Sequence, residues 1–315
     1  MLQQTLTLGP FPYEAATSAV KRPVPGSRVT VTASAGDSFL LASHGVVIER
    51  LTRVEPGEHM GTTLMVRAEG PGLDESTPVG TYAAQNIRGD EHSHPLDVRW
   101  LFVAPQSGEY TLELVVSTYA NRAYLDKYEH IRFRIPPGAV FTCTPVAGSV
   151  VHGLAAVGAV PQAAAWALPD ADDRVLIPGE SVSLMEGRHE ASTAGRIVIA
   201  QDLNLTTCQR DDAKFPGCSV PGIEPDQGTR LATTIWVRPD QGLPFWSPTV
   251  HTRISAERHH QTVTNTFDFP RDAMLGDSGF RFGVELRVVK GSPLVVHRAR
   301  PYGLATGHGH VLEVF

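Results

Sequence analysis

"DVRWLFVAPQSGEYTLELVVS", residues 97–117, decides the fold. Polar and apolar residues alternate from Asp97 to Trp100 and run on into apolar Leu101, Phe102 and Val103, turn-forming Pro105-Gln106-Ser107-Gly108 follows, and a second alternating run begins at Glu109. Period two with β-branched and aromatic enrichment marks a strand, and a short Pro/Ser/Gly segment between two such runs marks their connection.

The same pattern recurs outward in both directions. "RVTVTAS" (28–34), "TTLMVRA" (62–68), "HIRFRI" (130–135), "RIVIA" (196–200), "TTIWVR" (233–238), "TVTNTFDF" (262–269) and "FGVELRVV" (282–289) all read as strands. The 29 glycines and 24 prolines favour many turns over long helices. Helical signal is confined to the Ala-rich 153–168, interrupted by Gly158 and Pro161, and to 121–131. The chain is therefore expected to be mainly β.

Laying the halves side by side suggests an internal duplication. "GDSFLL" (36–41) matches "GESVSL" (179–184), "VVI" (46–48) matches "IVI" (197–199), and "TTLMVR" (62–67) matches "TTIWVR" (233–238). "HPLDVRWLFVAP" (94–105) matches "HHQTVTNTFDFP" (259–270), "YTLELVV" (110–116) matches "FGVELRV" (282–288), and "PPG" (136–138) meets "PYG" (301–303). The expectation is two tandem antiparallel β-sandwich domains of jelly-roll or immunoglobulin-like type, 1–144 and 145–315, with closed β-barrels as the alternative.

The stretch "WLFVAPQSGEYTLELVVS" resembles strand pairs in extracellular bacterial β-sandwich modules, including those appended to secreted peptidases. That resemblance implies architecture only, and no functional residue is carried over from it.

Composition bounds the function. With 315 residues and 42% apolar content the chain can bury sizeable cores. A net charge of −6 without a basic block argues against nucleic acid, which needs clustered Lys and Arg. No apolar run is long enough for a membrane span. The first residues lack a basic start and apolar core, so no secretory signal is read and the default compartment is cytoplasmic. Oligomeric state is left open.

"LGDSGFRFG" (275–283) carries the Gly-Asp-Ser-Gly of a trypsin-like nucleophile loop, and His44 and Asp97 would complete a triad. Phe280 and Arg281 follow where that loop needs glycine and proline, and Ser278 sits between two strand-like runs, so it reads as a turn. No nucleophile elbow, Walker loop or dinucleotide fingerprint occurs.

Four constellations remain. In "GDEHSHP" (89–95), His92 and His94 would share a face of an extended chain and could hold a divalent metal with Asp90. "HGH" (308–310) has the same spacing. Tyr119, Tyr124, Tyr128 and Trp246 could offer flat apolar faces to a sugar or a protein. Asp170, Asp172 and Asp173 could contribute to a calcium loop. Trp100 and Trp236, inside strand-like runs, read as core or inter-domain packing. Cys208 and Cys218 flank a polar loop and are either free thiols or a disulfide.

The favoured function is a non-catalytic binding protein with a carbohydrate or protein partner, reached through end loops or an inter-domain cleft. The alternative is a cavity-type cyclase or isomerase in which His94, His259, Glu113 or Glu285 does acid–base work.

Overall fold

The computed structural model describes residues 3–15, 21–56, 58–73, 79–119, 127–128, 131–146, 174–190, 194–209, 218–219, 221–224, 227–276, 278–296 and 307–314. Among the described residues strands and turns dominate, and the strands pair antiparallel, as in His59–Glu69 with Gly108–Tyr119, Arg196–Thr207 with Gly307–Val314 and Thr229–Pro239 with Phe280–Gly291. Among the described residues no sheet closes into a barrel. The chain divides into two compact units. The first is built mainly from Met1–Pro145, rejoined by Glu257–Thr262; the second takes Val146–Ala256, Val263–Pro301 and Ala305–Phe315.

The first unit contains β1 (Gln4–Thr7), β2 (Phe11–Ala15), β3 (Arg22–Pro23), β4 (Val29–Ala33), β5 (Ser38–His44), β6 (Val47–Arg50), β7 (His59–Glu69), β8 (Val79–Arg88), β9 (Ser93–Pro95), β10 (Arg99–Val103), β11 (Gly108–Tyr119), β12 (Ile131–Ile135) and β13 (Val140–Pro145). The orders β1-β13-β5-β10 and β2-β12-β6-β9 share four lines of chain, each interrupted once. The interruptions are stitched by backbone bonds such as Leu8 N to Ala139 O (2.8 Å) and Leu96 N to Val46 O (2.9 Å). Facing this layer, β8, β7 and β11 pair in that order, with β4 and β3 on the far edge of β11.

The opening stretch forms β10, a turn and β11. The Tyr110 hydroxyl lies 2.6 Å from the Gln106 carbonyl and 2.8 Å from that of Pro71, so it clamps the turn from within. Gly108 there has φ +154 and Pro71 stands where a Cβ would be, 2.6 Å away. Phe39, Trp100, Phe102 and Tyr110 are fully buried, each contributing roughly 1.5–3 kcal/mol of burial.

The second unit contains β14 (Arg174–Leu176), β15 (Ser181–His189), β16 (Arg196–Thr207), β17 (Thr229–Pro239), β18 (Phe245–Trp246), β19 (Val250–Ile254), β20 (His260–Pro270, whose first three residues belong to the first unit), α1 (Arg271–Met274), β21 (Phe280–Gly291), β22 (Leu294–Val296) and β23 (Gly307–Val314). One layer runs β14-β22-β16-β20, with β23 also on β16; the other runs β15-β21-β17 and ends in β18 and β19.

Numbering eight lines of chain in each unit, and merging interrupted strands, gives layers 1-8-3-6 and 5-4-7-2 in both. That is the order of a jelly roll. Most of the segments matched in sequence occupy equivalent lines: β7 with β17, β11 with β21, β6 with β16, and β9–β10 with β20. "GESVSL" is an exception. It lies in β15, which takes the place of β4 and not of β5.

The second core has an internal seam. One apolar cluster gathers Leu203, Leu231, Val263 and Val284, and another gathers Ile199, Ile235, Phe269 and Phe282. Between them in sequence, on the same inward phase, stand buried Gln201, Thr233 and Asn265. Thr233 Oγ1 donates to Asn265 Oδ1 at 2.7 Å.

Candidate functional site

The outer face of the β15–β21–β17–β18 sheet carries the chemistry best suited to recognition. In β17 the odd-numbered Leu231, Thr233, Ile235 and Val237 point inward, so Arg230, Thr234, Trp236 and Arg238 point outward. β21 likewise buries Phe282, Val284 and Leu286 and presents Arg281, Gly283, Glu285 and Arg287. Cross-strand register converts these lists into rows.

The central row is aromatic. Trp236 is opposite Gly283 on one side and Trp246 on the other. The Trp236 indole lies against the Gly283 backbone, so a Cβ at 283 would stand 2.7 Å from Cζ2. Its Nε1 donates to Ser183 Oγ at 2.9 Å, and the Arg238 guanidinium lies 5.7 Å from its ring. Trp246 is 55% exposed, and Leu243 in the preceding turn is 86% exposed. Ser183, Glu285 and Thr234 form the next row, with Thr249 Oγ1 3.0 Å from Thr234 Oγ1. Trp100 is core as expected, but Trp236 belongs to this half-open face.

The histidine cluster falls otherwise. His94 is 2% exposed in β9, whereas His92 is exposed ahead of that strand, so the two do not present their rings together. Asp90 is exposed and ion-paired to Arg88. Among the described residues no group of three His, Cys, Asp or Glu side chains is placed to hold a metal. Thr62 Oγ1 donates to Gln85 O at 3.1 Å and so accepts from His94 Nε2 at 3.1 Å. Burial, and then the nearby Arg258 charge, push the His94 imidazole down to about 4, so it is neutral at pH 7.

Residues 257–262 return to the first unit beside this loop. Arg258 Nη2 meets Glu91 Oε1 at 2.5 Å and Arg88 Nη1 meets Glu257 at 3.1 Å. His259 is buried at φ +58, with its ring 4.2 Å from that of His260. Arg50, itself buried, fixes the 89–91 loop through the carbonyls of Gly89 (2.7 Å) and Glu91 (2.8 Å).

The two matched glutamates have different settings. Glu113 is buried and accepts from Arg67 Nε at 2.8 Å across the β7–β11 pair, while Glu285 is exposed. Tyr128 donates to Glu58 at 2.5 Å and, with Lys127, holds that carboxyl down at about 2. Tyr124, the Tyr119 side chain and Asp170, Asp172 and Asp173 lie outside the described residues.

The triad residues are apart in role. Asp97 accepts from the amides of Gly45 and Val46 (both 3.1 Å) and from Ser43 Oγ, locking the break between β5 and β6. Ser278 Oγ donates to Leu275 O at 2.7 Å. Cys208 and Cys218 form a disulfide, and the free Cys143 is buried with its thiol pushed up to about 11. His308 and His310 are buried with ring nitrogens 2.6 Å apart. Sequence reading passed over His189, buried beside Glu313 at 3.0 Å. Burial pushes its imidazole below the ordinary value, against the pull of Glu313.

No known protein family matches the chain, and no curated protein does. Among solved structures, that of infectious bursal disease virus strain Gx aligns over 99% of this chain and 76% of its own at 11% identity, with a TM-score of 0.28. The CBM22-1–CBM22-2 tandem domain of Xyn10C from Paenibacillus barcinonensis aligns over 99% and 93% at 10% identity, with a TM-score of 0.25. The VP2 subviral particle of infectious bursal disease virus aligns over 99% and 76% at 9% identity, also with a TM-score of 0.25. Likenesses this slight carry no argument about function.

Proposed function

We propose that this chain is a non-catalytic binding protein of two duplicated β-sandwich domains, meeting near residues 144 and 145, and that it recognises carbohydrate. The duplication is supported by the shared strand order of the two units. The recognition reading rests on one observation: exposed Trp246 and half-buried Trp236 are neighbours in one row, bordered by Ser183, Thr234 and Thr249. Exposed aromatic rings give a sugar ring a flat apolar surface, and the bordering hydroxyls fix its orientation. Removing so large an aromatic from water is favourable, which explains a binding role and gives no reason for its exposure in the free protein.

The test is calorimetric titration of the full chain against a panel of soluble neutral and acidic polysaccharides, with Trp246→Ala and Trp236→Ala variants beside it. Binding is expected to fall at least tenfold in each variant. If the glycan bound by the parent chain binds both variants equally well, the face is not the site. If the panel is silent and a protein is captured through Trp246 instead, the partner is protein.

A further inference from the structure

We infer that the ligand of this face is an anionic polysaccharide, bearing carboxylate or sulfate groups on its sugar rings; the inference rests on the carbohydrate reading above and adds the charge of the substrate. The observation is the register of the arginines. Arg188, Arg281 and Arg238 are directly opposite one another across β15, β21 and β17, forming a row beside the tryptophans. On the other side of the tryptophans Arg287 sits opposite Ala232, which is opposite His251; further along, Arg230 is opposite Arg253.

All five of Arg281, Arg238, Arg287, Arg230 and Arg253 are exposed, and among the described residues none of them has an ion-pair partner. Only Arg188 is compensated, by Glu190 at 3.1 Å and Asp240 at 3.0 Å. Glu285 is the acid within the rows.

Like charges directly opposite one another destabilise a sheet. Neighbouring strands are about 4.8 Å apart, so Arg281 and Arg238, which among the described residues lack an acidic partner, repel each other in the free protein. The chain as a whole has net charge −6. A positive face on a negative protein, built at a cost in stability, has a use in meeting negative charge. Arginine suits carboxylate and sulfate in particular, because its planar fork gives two parallel hydrogen bonds to one group.

The arginines leave no basic block in the sequence. They are scattered between residues 188 and 287 and become a patch only through strand register. A nucleic acid would share the charge, but single strands are held by successive stacking platforms. Here one cross-strand pair of tryptophans makes a single platform, with serine and threonine hydroxyls at its border.

The experiment titrates the full chain with polygalacturonate, dextran sulfate and neutral dextran, with oligo-dT and phosphatidylserine vesicles as other polyanions, at 50 and 300 mM NaCl. Variants are Arg238→Gln/Arg281→Gln, the lysine counterpart Arg238→Lys/Arg281→Lys, and Trp246→Ala. We expect polygalacturonate or dextran sulfate to bind at least tenfold more tightly than dextran, to weaken with salt, and to lose at least tenfold in the glutamine pair with partial recovery in the lysine pair. Trp246→Ala is expected to weaken binding at both salt concentrations. If neutral glycans bind as well as acidic ones and the glutamine pair changes nothing, the charge inference fails while the carbohydrate reading stands. Oligo-dT or vesicles binding at least as tightly as either acidic polysaccharide would overturn the inference. Silence toward every glycan overturns both.

Discussion

Acidification offers a direct measure of how firmly His94 is built into the first unit. The imidazole is 2% exposed, donates through Nε2 to Thr62, and is held at about 4 instead of 6.5. In the unfolded chain it takes up a proton as pH falls through about 6.5. The folded state takes it up only near 4, so between those values the unfolded state binds more protons. Stability attributable to this residue is therefore complete above about pH 7 and is lost as pH falls. The loss amounts to about 1 kcal/mol at pH 5.5 and about 3 kcal/mol at pH 4. His94→Gln keeps a side-chain donor within reach of Thr62 and removes the titration. Urea unfolding of parent and variant at pH 7.5, 5.5 and 4 isolates the effect, because burial also lowers His59 and His189 and their contribution is common to both proteins. The stability difference between the two proteins should shrink by about 3 kcal/mol from pH 7.5 to pH 4. Parallel pH profiles would refute the placement of His94 as a neutral, buried donor.

Three other outcomes follow from the geometry. Gly283→Ala places a methyl 2.7 Å from the Trp236 ring, so overpacking should destabilise the second unit by about 1–3 kcal/mol and shift tryptophan fluorescence, and an unchanged denaturation midpoint would contradict the seat described for the indole. Cys208→Ser/Cys218→Ser opens a buried bridge of sequence separation 10, for which chain entropy gives about 2.8 kcal/mol; equal unfolding midpoints with and without reductant would show that the bridge adds nothing. Thr233→Val removes the donor to Asn265 Oδ1 and should cost about 1–3 kcal/mol in chemical denaturation, with partial recovery when Asn265→Leu is added; additive losses would contradict their coupling.

Much of the architecture could be read from alternation alone. Residues 97–117 contain β10, the turn and all but the last two residues of β11, and the runs at 62–68, 233–238 and 282–289 fall within β7, β17 and β21. Line two of the second unit was misaligned because "GESVSL" shares Gly, Ser and Leu with "GDSFLL", although its alternation is that of β4 and not of β5, where Phe39 to Ala42 are all apolar. The candidate site was harder. Trp236 was assigned to packing because tryptophan in a strand is commonly core, yet its neighbours Thr234 and Arg238 share its phase while Ile235 and Val237 do not. That alternation was available and outweighs residue type. The arginine rows were not available, since they depend on which of several possible registers the strands adopt. His92 and His94 failed to share a face because the strand begins at Ser93.

The seam of Gln201, Thr233 and Asn265 bears on how the second unit finds its alignment. A strand sliding by two residues keeps its inward and outward sides, so hydrophobic patterning alone does little to forbid it. Such a slide in β16, β17 or β20 would carry an amide or hydroxyl out of the seam and into hydrocarbon on one side, leaving its former partner facing a methyl group. Polar groups at matching depth on three strands thus act as an index mark, selecting one offset among several that would bury the same amount of oil.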